Sequence, residues 1–90
     1  MRADDILLCV ARDHDIREAN AESGIARVAA LAGEVVTLND LHDALARAVA
    51  AGLIADPVRL PPGALQCHWR LELTPAGREV ARHGRPASAR

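Results

Sequence analysis

The segment from Thr37 to Ile54, TLNDLHDALARAVAAGLI, combines a helix start, a helical hydrophobic period and a helix stop. Threonine is a residue type that often caps helix N-termini, and Thr37 is placed to do so here. The negative charge of Asp40, in the predicted first turn, interacts favourably with the positive end of the helix dipole. At about 100° per residue, one side collects the apolar residues Leu38, Leu41, Leu45, Ala48 and Val49. Gly52 then favours a left-handed stop before a β-compatible Leu-Ile pair. The segment predicts a helix over residues 38–51 that leads directly into a strand.

Length and composition predict one small domain. The chain has 90 residues, 50% of them hydrophobic, and Trp69 is the sole aromatic residue. A chain of this size buries a single core, for which Trp69 is the natural anchor. We expect the domain to span residues 1–84 and residues 85–90 to form a disordered tail. The scarcity of aromatic residues argues against single-stranded nucleic acid as a ligand, because its bases usually stack on aromatic rings.

Charge is distributed unevenly along the chain. The net charge is −1, but residues 1–58 carry five Arg against ten acidic residues, and residues 59–90 carry six Arg against two. An anionic partner is therefore expected to meet the C-terminal third. The apolar run ILLCVA at residues 6–11 is too short for a signal peptide or a membrane span, so we expect a cytoplasmic protein with no membrane partner.

No motif for metal binding or catalysis is present in the sequence. Cys9 and Cys67 lie far apart without metal-ligand spacing, so two buried free thiols are expected rather than a disulfide. The histidines, which are His14, His42, His68 and His83, are scattered over different predicted elements. Asp40 and Asp43 resemble a carboxylate pair, but no nucleophile accompanies them, and helix dipole and solubility explain them better. We expect no metal, no cofactor and no enzymatic activity.

The residues before the central helix predict two further helices. Asp4 or Asp5 is expected to cap the first, whose apolar face lies within residues 6–11. The second is expected to be capped by Ser23 and to end at Gly33. Its start is ambiguous, because residues 16–23, IREANAES, read equally as a polar connection or as an extra helical turn.

The strands and the closing helix follow from shorter patterns. Val35 and Val36 are candidates for a short third strand, and Leu53 to Leu60 contains a strand that ends before the Pro-Pro-Gly loop. Residues 66–73 alternate, with apolar side chains at Cys67, Trp69, Leu71 and Leu73. Thr74 and Pro75 begin a last helix, with Val80 as its main apolar contact and Gly84 as its stop.

This order of elements predicts an α+β winged helix-turn-helix: a three-helix core, a β-hairpin wing and a short C-terminal helix. The run LHDALARAVAAGLI, the hairpin and the closing LTPAGREV resemble MarR- and PadR-type transcriptional regulators, and the resemblance covers residues 37–82 best. It implies that helix 38–51 enters the major groove of duplex DNA and that a wing, here near Arg59 to Arg70, touches phosphates.

The resemblance implies two sets of DNA-binding residues. On the recognition helix they are Asn39, His42, Asp43 and Arg47, and on the wing and tail Arg59, His68, Arg70 and Arg78. Two carboxylates, Asp40 and Asp43, would face the polyanion, and Arg47 is placed to pair with Asp43 four residues earlier. Arg59 and Arg70 are equally compatible with phosphate contacts and with a solvated strand face.

Two functions from different classes follow from these observations. The first is a small, homodimeric winged-helix transcription regulator that binds duplex DNA. The alternative is a winged-helix protein-protein interaction module that does not bind DNA, which the acidic front of the recognition helix favours. Ligand sensing is a third possibility and would require a pocket.

Overall fold

The structure is a computed structural model that describes residues 2–33, 36–60 and 62–82. In chain order its elements are α1 (Ala3–Asp13), β1 (Ile16–Glu18), α2 (Ala21–Ala32), α3 (Leu38–Ala50), β2 (Val58–Arg59), β3 (His68–Leu71) and α4 (Pro75–Arg82). The described residues thus form four helices and one three-stranded antiparallel sheet. The predicted α+β class is confirmed.

The central helix α3 begins and packs largely as its sequence predicts. The Thr37 hydroxyl accepts a hydrogen bond from the Asp40 backbone N–H at 3.0 Å. The buried face contains Leu41, Ala44, Leu45 and Ala48. Leu38 was expected on this face but is 47% exposed, because the first turn of the helix extends past the core. The helix packs mainly against α1.

The sheet contains a strand that the sequence did not predict. Its order is β1-β3-β2, and β3 pairs antiparallel with both neighbours. The third strand comes from Ile16–Glu18, where an extra helical turn was one of the two expectations. Val36 is not part of a strand, and Val35 lies outside the described residues. Ile16 is buried opposite Leu71, which explains why this segment, and not the valine pair, completes the sheet.

Strand β3 supplies the centre of the core. Trp69, Leu71 and Leu73 are buried, as the alternation predicts, and Trp69 is only 1% exposed. The prediction of two buried thiols was wrong: both cysteines are free, but Cys67 is exposed because it precedes the strand, and Cys9 is half-buried. The strand predicted within residues 53–60 reduces to β2 and an isolated bridge from Ile54 to Leu73.

The starts of α1 and α2 differ from those predicted. Arg2 is the N-cap of α1 and makes no side-chain cap, while Asp4 and Asp5 lie in the first turn. Asn20, not Ser23, caps α2: its side chain accepts a hydrogen bond from the Ser23 backbone N–H at 2.8 Å. Asn20 takes this role because the chain must leave β1 before the helix can begin.

The closing segment ties α4 to the end of α3. The Thr74 hydroxyl accepts a hydrogen bond from the Gly77 backbone N–H at 3.0 Å and donates one to the Gly52 carbonyl at 2.5 Å. Gly77 packs directly on the Leu53 backbone. Ala81 is the buried apolar residue of α4, whereas Val80, the predicted contact, is half-buried. The predicted stop at Gly84 and the tail at residues 85–90 lie outside the described residues.

None of the helices within the described ranges has the length and hydropathy needed to cross a membrane. Among the same residues, no three His, Cys, Asp or Glu side chains gather as a potential metal site.

Candidate nucleic-acid interface

The predicted recognition residues all lie on the exposed side of α3, but its single basic residue is already paired. Asn39, His42, Asp43 and Arg47 are exposed. The Arg47 guanidinium binds both carboxylate oxygens of Asp4 on α1, with Nη2 to Oδ1 at 2.6 Å and Nε to Oδ2 at 3.3 Å. The predicted pairing of Arg47 with Asp43 is therefore wrong, because α1 brings a carboxylate into better geometry than the same helix offers.

This ion pair changes the electrostatics of the whole α3 front. The hydrogen bond from Arg47 lowers the pKa of Asp4, and the same bond raises the pKa of Arg47. Asp40 and Asp43 border the same shallow recess as the pair. A phosphate approaching α3 would thus meet three carboxylates and one guanidinium that is already neutralised, so this surface repels a polyanion.

The outer face of the sheet gathers basic side chains from all three strands. Arg17 on β1 lies directly opposite Arg70 on β3, and Arg59 on β2 lies directly opposite His68 on β3. Because alternate residues of a strand point to the same side, His68 and Arg70 share the face that Trp69 does not use. The four side chains line one recess of about 630 Å³, which Glu18, Ala19 and Trp69 also border. We call Arg17, Arg59, His68 and Arg70 the basic sheet face.

Three of these four residues were predicted, and Arg17 was missed. Arg59, His68 and Arg70 were expected to lie in the wing, and the structure brings them together. Arg17 was overlooked because its three-residue strand, IRE, is too short to show an alternating period and contains one apolar residue. The only available signal was a β-branched residue followed by charged residues in an otherwise ambiguous segment.

Acidic residues partly balance the basic sheet face. Arg59 Nη2 contacts Glu72 Oε1 at 3.0 Å, and Arg59 Nε donates to the Asp56 carbonyl at 2.7 Å. The hydrogen bond from Arg59, followed by the charge of Arg70, lowers the pKa of Glu72. Asp15 lies within ion-pair distance of both Arg17 and Arg70. The Arg17–Asp15 pair is largely exposed and contributes little to stability, whereas the Arg59–Glu72 pair is part-buried.

Arg78, the last predicted residue, does not belong to the basic sheet face. It is exposed on α4 and lines a second cleft, of about 790 Å³, between that helix and the end of α1. Arg70 borders both clefts, and the Arg78 charge contributes to the lowered pKa of Glu72. Arg78 was predicted with the wing and tail because the C-terminal third is basic, and the structure places it on α4, beside the cleft that this helix forms with α1.

The loop of the predicted wing carries no charge. Residues 60–67, LPPGALQC, connect β2 to β3 without an acidic or basic residue. Leu60 is 62% exposed and Leu65 is 99% exposed. The basic character of the wing therefore lies on its strands and not at its tip.

Comparisons with protein-family models, with curated proteins and with solved structures give no match to this chain.

Proposed function

We propose that this chain is a winged-helix domain of the transcription-regulator type that binds duplex DNA through the basic sheet face. The fold supports this proposal, because three helices, a β-hairpin and a short closing helix are the arrangement that the resemblance to MarR- and PadR-type regulators implies. The observation that carries the proposal is the convergence of Arg17, Arg59, His68 and Arg70 on one side of the sheet.

Guanidinium groups on this face suit phosphates better than bases. Arg binds phosphate oxygens through two parallel N–H donors, and such contacts position a protein on DNA without reading its sequence. Helix α3 is assigned a minor role. Asn39 and His42 are the polar side chains that it would direct towards a groove, and the carboxylates of Asp40 and Asp43 would keep the helix from close contact with phosphates. Binding is expected to be weakly sequence-specific and strongly salt-dependent.

We further propose that the functional unit is a homodimer. A small domain that exposes Leu60 and Leu65 on a loop without charge gains apolar burial by association. In this arrangement, two copies would double the number of phosphate contacts to one duplex and thereby increase the apparent affinity.

A fluorescence anisotropy titration with a mixed-sequence duplex at low salt tests the DNA proposal. The double variant Arg17→Gln/Arg59→Gln removes two positive charges from the basic sheet face. Its affinity is expected to fall about tenfold or more, and its salt slope to decrease by about 2, since each phosphate contact contributes about 0.9. The matched control is Arg2→Gln/Arg27→Gln, which removes the same charge from exposed positions at the N-cap of α1 and on α2.

Two results would refute the proposal. One is the absence of duplex binding by the unmodified chain even at about 100 µM protein, which is the weak end of typical non-specific dissociation constants. The other is an equal loss of affinity in the two double variants, which would mean that net charge, and not this face, governs binding.

A protein-protein interaction module that does not bind DNA is the second candidate. Two observations favour it: the acidic front formed by Asp4, Asp40 and Asp43, and the uncharged wing loop with its exposed leucines. This candidate is tested by light scattering, which measures the oligomeric state, and by a pull-down with the immobilised chain, which detects partners. A lone monomer that captures no partner but binds duplex DNA would eliminate this candidate.

A further inference from the structure

Two positive charges face each other in the register of the sheet. Arg17 and Arg70 are direct partners across β1 and β3. Like charges placed directly opposite each other in an antiparallel pair are destabilising, so a sequence selected for stability alone disfavours this arrangement. Arg17 is mostly exposed, whereas the Arg70 side chain is 37% exposed and is held closer to the sheet.

Asp15 lies between these two guanidinium groups and satisfies only one of them. Its carboxylate accepts a hydrogen bond from Arg17 Nε at 3.4 Å, and its other oxygen lies 3.3 Å from the same nitrogen. Arg70 Nε is 3.7 Å from Asp15 Oδ1, which is beyond hydrogen-bonding distance. That nitrogen is buried and has no hydrogen-bond partner. A buried donor on a charged group that lacks an acceptor is unfavourable, and a suitable anion would relieve it.

We propose that Arg17 and Arg70 form a phosphate-binding site in which Asp15 acts as an internal counter-ion until a phosphate group displaces it. A phosphate offers more acceptor oxygens than a carboxylate, so it can serve Arg17 and the unpaired Arg70 Nε together. Displacement of Asp15 costs little, because its side chain is 61% exposed and regains water when it leaves.

This inference rests on the proposed function, because it specifies how the same sheet face binds a phosphate group. Phosphate binding at this site does not, however, require that the phosphate belong to DNA. The phosphodiester of a duplex and the phosphate of a small molecule present the same group of oxygens. Asp15 would set the affinity in both cases, because each phosphate must compete with the same carboxylate.

The experiment measures binding of inorganic tripolyphosphate by NMR, from the Nε–Hε resonances of Arg17 and Arg70, in cold and mildly acidic buffer. In Asp15→Asn, affinity is expected to rise about threefold to fivefold, the range set by loss of one exposed ion pair. The control is Glu22→Gln, which changes the net charge equally from an exposed position on α2 and is expected to leave affinity nearly unchanged.

A further variant separates this site from a general charge effect. Arg17→Gln removes one half of the site from an exposed position, so folding is not at risk. The gain from Asp15→Asn is expected to vanish when both substitutions are combined, as a double-mutant cycle requires for interacting groups. Equal gains from Asp15→Asn and Glu22→Gln, or phosphate-independent Arg17 and Arg70 resonances, would overturn the proposal.

A parallel titration with duplex DNA identifies the source of the phosphate. If Asp15→Asn strengthens binding of both tripolyphosphate and duplex, the site takes the DNA backbone. If tripolyphosphate binds as expected but neither the unmodified chain nor Asp15→Asn binds duplex, the site is confirmed for free phosphate compounds and the proposed DNA function fails. The two proposals are thus tested separately.

Discussion

Gly24 lies inside α2, directly beneath the indole ring of Trp69. A Cβ atom added at this position would lie 2.2 Å from Trp69 Cε3, 2.4 Å from Cζ3 and 2.5 Å from Cδ2. All three distances are far below van der Waals contact, so Gly24→Ala requires the ring or the helix to move. Trp69 is only 1% exposed and lies on β3, which pairs with a strand on each side. We therefore expect Gly24→Ala to destabilise the fold.

Two opposing effects set the magnitude. Overpacking of a core by one methyl group typically costs about 1–3 kcal/mol. In contrast, replacing Gly by Ala in a helix interior contributes about 1 kcal/mol of stability. Because three ring atoms are affected at once, we place the cost near the upper end and expect a net loss of about 1–2 kcal/mol. For a domain of this size, that corresponds to a decrease in Tm of about 5–15 °C.

Chemical denaturation and thermal unfolding, followed by circular dichroism, measure this loss. Ala26→Gly is the matched control, because Ala26 is exposed in the middle of the same helix and the reverse exchange reports helix propensity alone. Its expected cost is about 1 kcal/mol. If Gly24→Ala instead raised the free energy of unfolding by about the same amount, the gain in helix propensity would not be offset by a steric clash with Trp69. The packing argument would then be refuted.

Two further predictions concern the closing helix and the acidic cluster. A Cβ on Gly77 would lie 1.8 Å from the Leu53 carbonyl oxygen. Because a backbone atom cannot rotate away as a side chain can, Gly77→Ala is expected to lower the free energy of unfolding by about 3 kcal/mol. A Tm within a few degrees of that of the unmodified chain would contradict this prediction. The hydrogen bond from Arg47 lowers the pKa of Asp4 in the folded protein. The ion pair therefore stabilises the fold fully at pH values above the unfolded carboxyl pKa, and this stabilisation is lost as the pH falls through the lower folded-state pKa. Asp4→Asn is therefore expected to lower the Tm by about 1–3 °C at neutral pH, and the difference should shrink as the pH falls below the unfolded carboxyl pKa and disappear once Asp4 is protonated in the folded state. A difference that persists unchanged into acid would show that the substitution acts through another contact.

The extent to which the site was predictable differs between its parts. The alternation around Trp69 predicts that His68 and Arg70 share one face of a strand, and the resemblance adds Arg59 to the same wing. Arg17 belongs to the same face but sits on a strand of three residues, and its position becomes meaningful only once β1 pairs with β3. Arg78 was predicted from the basic character of the C-terminal third, and only the packing of α4 places it in the neighbouring cleft, which it shares with Arg70.

Local sequence patterns are enough to predict α3, with its Thr37 cap and apolar stripe, the buried side of β3 and the uneven distribution of charge. These features depend on periodicity and on residue types within a few positions, which local physical chemistry decides. The pairing of Arg47 with Asp4, and the position of Arg17 opposite Arg70 around Asp15, depend instead on how the elements pack. Each of these contacts joins elements that are separate in the chain, and their geometry exists only after the helices pack and the strands take their register.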